Sequence, residues 1–106
     1  VYTTSKFRAE NPKVYAAFLT AFKQATDFIN NNRDEAAAIY LEVSKDKSVT
    51  KDQLLKILNN PDIRYTMAPE RTMEVVAFMH RQGRIKIAPK VWTEMFFPEI
   101  RNLPGS

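Results

Sequence analysis

The sequence predicts a mainly helical chain, about five helices after a short extended N-terminal segment, and three observations carry that expectation. From Asn11 to Asn31 the apolar residues recur at helical spacing. Thr50 and Gln53 have the spacing of a helix-opening capping box. Ala68 and Pro69 ahead of a further periodic stretch, and Gly83 behind it, read as a start and a stop.

Val1 to Thr4 is β-branched and aromatic, which favours extended backbone, yet no second strand is in view to satisfy its N–H and C=O groups. Ser5 to Glu10 is a polar connector with room for one helical turn. The next stretch is the one around which the chain is organised. On a helical wheel at about 100° per residue, Val14, Tyr15, Ala17, Phe18, Leu19, Ala21, Phe22, Ala25, Thr26, Phe28 and Ile29 fall in one arc. That arc spans roughly 200°, whereas one core contact needs little more than about 100°. The helix is therefore expected to be covered on more than one side and to be the most buried element. Asn11 is placed to accept a bond from an unpaired N–H of the first turn, and Pro12 suits the first helical position.

Asn30, Asn31 and Asn32 end that helix, and Asp34 and Glu35 complement the dipole at the start of a second one, antiparallel to the first. Its apolar stripe is Ala36, Ile39, Tyr40 and Val43. After the polar loop SKDKS, a third helix opens at Lys51, with Val49 set to staple against Leu54 and with Leu54, Ile57 and Leu58 as its buried stripe. Ile63 to Met67 reads as extended. A fourth helix, opened by Ala68 and Pro69, places Thr72, Met73, Val75, Val76, Ala77, Met79 and His80 on one face. Gly83 closes it as a left-handed cap, and Phe78 projects from its polar side. A short helix from Pro89 to Phe96, anchored by Trp92 and Phe96, completes the series.

By length, 106 residues make one domain spanning 1–106, and 44% hydrophobic with 26% charged residues describes an ordinary globular composition. A net charge of +4 leaves a basic surface suited to nucleic acid, anionic lipid or small anions. The absence of cysteine excludes disulfides and thiol chemistry. Gly83 and Gly105 alone cannot form a glycine-rich phosphate loop, the single His80 rules out a two-histidine zinc motif, and SKDKS lacks the pattern of a calcium loop. No cofactor and no metal are expected. No apolar run approaches the ~18 residues of a membrane span. The opening VYTTSKF is no export signal, and the unpaired N-terminal segment reads as part of a longer chain.

Among candidate functional residues, His80 sits within an apolar stripe and is expected to be a core histidine bonded to a backbone carbonyl, not an acid–base catalyst. Asp34 and Glu35 point about 100° apart on a helix and do not converge on a substrate. Arg81, Arg84, Lys86 and Lys90 form the densest positive charge, in HRQGRIKIAPK, without interleaved exposed aromatics for base stacking. They read as a solvated helix terminus, with a nucleic-acid- or protein-binding basic module as the alternative. Phe78 and the surplus arc of the long helix point to surface that something outside this chain covers.

The order of SKFRAENPKVYAAFLTAFKQATDFIN, EAAAIYLEVS, NNPDIRYTMAPERTMEVVAFMHRQGRIK and WTEMFFPEIRNLPGS resembles the C-terminal portion of substrate-binding proteins of the nitrate/sulfonate/taurine class of ABC importers and of their thiamine-precursor-binding relatives. The markers are Asn11 and Pro12, Phe78 to Arg81, Gly83 to Lys86, and Phe96 to Glu99. The resemblance implies part of a two-lobed α/β periplasmic binding protein fold, with Val1 to Thr4 as a crossover strand. It also implies a small-molecule solute as ligand, a membrane permease as partner, an N-terminal lobe outside this chain, and a periplasmic or lipid-anchored location with no enzymatic step. Solute contacts within this chain would then fall to Tyr2 and Thr3, at a strand end. Self-association is expected of a chain that leaves such an edge and such an arc uncovered.

Overall fold

The computed structural model describes all residues from Val1 to Ser106 and contains no β-strand. Its helices are α1 (Ser5–Glu10), α2 (Pro12–Asn31), α3 (Arg33–Ser44), α4 (Lys51–Leu58), α5 (Thr72–Arg81) and α6 (Pro98–Arg101), with a 3₁₀ turn at Trp92–Met95. They fall into two compact units, Val1–Tyr65 and Thr66–Ser106.

In the first unit, Thr4 is extended, as its β-branched chemistry favours, but it pairs with no strand. Its hydroxyl accepts the Phe7 N–H at 3.0 Å and caps α1. Single asparagines join the first three helices, with nearly the same backbone angles: Asn11 at φ −130°, ψ 54° and Asn32 at φ −132°, ψ 54°. Neither side chain caps the helix that follows. Contrary to expectation, the Asn11 amide donates backwards, to the Phe7 carbonyl at 3.2 Å, and Asn32 does the same to Phe28 at 3.3 Å. The last-turn carbonyls thus take the donors, and neither asparagine has the extended backbone that Thr4 and Thr50 adopt when they cap the following helix.

α3 packs against both α2 and α4, and Ala37 on α3 is fully buried. α4 opens at Lys51 with the predicted box complete: the Gln53 N–H reaches the Thr50 hydroxyl and the Thr50 N–H reaches Gln53 Oε1 at 2.9 Å. Polar ties fix α4 to its neighbours. The Arg33 guanidinium donates to the Leu58 carbonyl at the end of α4, where a cation also suits the dipole. Lys51 meets Asp34 at 2.9 Å, and the Asn30 amide donates to the Tyr65 carbonyl at 2.7 Å while accepting the Tyr65 N–H at 3.3 Å.

The expectation that α2 would be the most buried element is corrected. Only Tyr15 and Thr26 are buried on it, while Phe18 is 44% and Phe22 36% exposed. Tyr15 and Thr26 are three turns apart and lie about 20° from one another on the wheel, at one edge of the arc. α1 and α3 pack on α2, and the middle of the arc is covered only in part: Val14, Phe18 and Phe22 are exposed and Ile29 is half-buried. The buried Thr26 hydroxyl satisfies itself on the Phe22 carbonyl one turn back.

In the second unit, α5 begins at Thr72, not at Ala68. Residues ahead of it are committed to the chain's last residue: the Ser106 N–H donates to Pro69 at 2.8 Å, its carbonyl accepts the Thr72 N–H at 2.7 Å, and its hydroxyl accepts the Arg71 N–H at 3.0 Å. Arg71 takes a left-handed conformation, φ 53°, to make that turn. At the other end Gly83 has φ 67° and the expected role. Its N–H bonds to His80 and that of Arg84 to Met79, the paired bonds of a Schellman cap. The helix expected over Pro89 to Phe96 shrinks to the 3₁₀ turn, since Val91 and Phe96 are both extended and leave one turn between them. Pro98 then starts α6 at its first position, with Phe97 extended before it as the residue preceding proline requires. Val76 is buried, and the Trp92 and Phe96 rings meet edge to face at 5.8 Å.

Candidate functional site

The concave feature of the first unit is an open groove of about 680 Å³ between the C-terminal half of α2 and α3. Gln24, Ala25, Phe28 and Ile29 form one wall, and Ala36, Ile39, Tyr40, Val43 and Ser44 the other. It follows from the two periodicities meeting across the Asn32 joint. Apolar residues of the α2 arc and of the α3 stripe both line the space between the helices and leave it open. Ile39 stays 45%, Tyr40 46% and Val43 78% exposed. Of the lining residues only Gln24, Tyr40 and Ser44 carry polar side chains, so the groove offers apolar contact to a partner side chain or helix and few groups to orient a charged solute.

The sequence-predicted site residues do not converge there. Tyr2 is 97% exposed and Thr3 half-buried, both in irregular chain preceding α1, and no hydrogen bond holds either side chain. Asp34 is engaged by Lys51 on the surface. His80, expected in the core, is exposed on the last turn of α5, so its assignment to a buried face is corrected. Of that face only Val76 is buried; Val75 is 57% and Met79 37% exposed, because the helix is covered along a strip narrower than its apolar arc. Phe78 is 55% exposed, as its place on the polar side implies.

Arg81, Arg84, Lys86 and Lys90 are all exposed and none meets a carboxylate. The shifted titrations lie elsewhere, on the surface. The hydroxyl and N–H of Ser48 hold the Asp46 carboxyl below its ordinary range, and the Arg71 guanidinium, 2.5 Å away, does the same for Glu74. No three of the His, Asp and Glu side chains gather closely enough to hold a metal ion. No helix is long and apolar enough to cross a membrane. No family model, curated protein or solved structure matches the chain.

The groove is the feature that sequence reading left unassigned. Its signal was present as an arc on α2 wider than one neighbour covers, but periodicity alone did not show that α3 would leave its own stripe facing the same space.

Proposed function

We propose that this chain is the C-terminal helical part of the solute-binding component of an ABC importer, acting outside the cytoplasmic membrane and carrying out no covalent chemistry. One observation supports this reading beside the resemblance: the apolar middle of α2, with Val14 58% and Phe18 44% exposed, continues into the α2–α3 groove without cover from the chain itself. An apolar surface of that extent on helices is what a lobe built elsewhere in the same protein would bury. The parent would close by a hinge on a small solute such as a sulfonate, nitrate or thiamine precursor, then present it to a permease. Tyr2 and Thr3 are the residues assigned to solute in that arrangement.

The test is calorimetric titration of these solutes against the chain alone and against the chain continuous with its own upstream reading frame. Micromolar binding by the longer protein and nothing better than millimolar by the chain alone are expected, since a one-sided site buries too little of a small ligand. Sedimentation of the chain alone should show a dimer or larger assembly. An upstream frame without a further lobe, or a longer protein blind to every such solute, would sink the proposal.

A further inference from the structure

We infer that the loop from Arg84 to Val91 is a contact surface for anionic phospholipid, with the side chains of Lys86 and Lys90 at the headgroups and Ile87 entering the acyl boundary between them. The inference rests on the second unit alone and does not require the solute-binding reading. Its first support is charge. Arg81, Arg84, Lys86 and Lys90 are exposed and form no ion pair, and the carboxylate of Glu94 is turned to the Lys90 backbone N–H at 3.2 Å. The helix dipole accounts for a cation at Arg81, but its field fades within the last turn. Lys86 and Lys90 lie beyond the Schellman cap and gain nothing from it.

The second support is Ile87. At 87% exposed it stands in water with a lysine on one side and, three residues on, another; Val91, 51% exposed, follows. A lone exposed aliphatic is common on protein surfaces. One on an unpaired cationic loop combines the two terms that bind interfacial segments, apolar insertion and attraction to anionic lipid. No backbone N–H between Ile85 and Ala88 donates within the chain, so the loop can lie against a surface without breaking internal bonds. Nucleic acid is the weaker match, because the loop itself carries no aromatic ring on which a base could stack.

Co-sedimentation with vesicles tests this, using phosphatidylcholine alone and phosphatidylcholine mixed with phosphatidylglycerol. Binding is expected to the anionic vesicles only, weakening as salt rises. Lys86→Ala and Lys90→Ala should each weaken it about fivefold. Ile87→Ser should weaken it about tenfold without changing net charge. Circular dichroism identical to the parent's, expected for an exposed loop position, excludes misfolding as the cause. Absence of binding to anionic vesicles at low salt, equal binding by Ile87→Ser and the parent, or tighter binding to a single-stranded oligonucleotide than to the vesicles would each overturn the inference.

Discussion

Gly105→Ala should unsettle the second unit, and the structure sets the size of the effect. A Cβ built at Gly105 would lie 2.8 Å from Cζ2 and 2.9 Å from both Cε2 and Cη2 of Trp92. Restoring carbon–carbon contact near 3.5 Å requires a displacement of roughly 0.7 Å. If the indole yields, its edge-to-face contact with Phe96 is spoiled. If the tail yields, the Ser106 bonds to Pro69, Arg71 and Thr72 stretch, and these fix the start of α5. Overpacking of this kind costs about 1–3 kcal/mol. Gly105 does not occupy a positive φ, so alanine meets no backbone strain and gains about 0.4–1 kcal/mol from a less flexible unfolded chain. The net expectation is a loss of about 1–2 kcal/mol. Trp92 is the only tryptophan, so its emission during urea or thermal unfolding reports on this unit directly. A loss of 1 kcal/mol should lower the Trp92 transition by about 4–8 °C. A variant at least as stable as the parent, with unchanged emission in the folded state, would refute the close approach.

Thr50→Ala removes half of the capping box and should cost about 1 kcal/mol, measured as a shift in the denaturant midpoint; an unchanged midpoint would mean that α4 does not rely on its cap. Phe18→Ala should cost under about 1 kcal/mol, against the roughly 3–5 kcal/mol of a core phenylalanine, because the ring is 44% exposed and mainly stacks on Phe22 at 5.8 Å. A core-sized loss would show that the face is covered after all. Asp46 and Glu74 have depressed pKa values in the folded chain, so their stabilisation is present above the ordinary carboxylate range and disappears as pH falls through the folded values. Asp46→Asn combined with Glu74→Gln should therefore flatten the acid limb of a melting-temperature profile, and an acid limb identical to the parent's would contradict the assignment.

Local chemistry was legible in the sequence where both partners lie within one turn. Thr50 and Gln53 are three residues apart, and Gly83 needs only the carbonyls of the turn before it, so the start of α4 and the end of α5 were readable directly. Burial was not. The wheel places Phe18 and Phe22 on an apolar face, but the number of neighbours available to that face is a property of the whole chain, and only Tyr15 and Thr26 become buried on it. His80 shares a stripe with Val76 and still lies past the strip that is covered. The start of α5 depends on Ser106, 35 residues from Arg71, which no local pattern contains. The candidate site shares this limit: the basic loop could be read from composition, whereas the groove depends on how two separate helices, α2 and α3, come together.

The twin joints at Asn11 and Asn32 make the length of α2 a geometric variable. Each joint fixes the direction of the next helix relative to the local helical phase, with no loop to absorb an error. One residue inserted into α2 would swing the exit of α3 by about 100° around the α2 axis relative to α1 and take α4 with it, since the Lys51–Asp34 and Arg33–Leu58 ties join α4 to α3. An insertion of seven would return the phase to within about 20° while lengthening the helix by roughly 10 Å. Natural or engineered length changes in this stretch are thus expected in steps near seven, and a single-codon insertion there should be far less tolerated than one in the SKDKS loop.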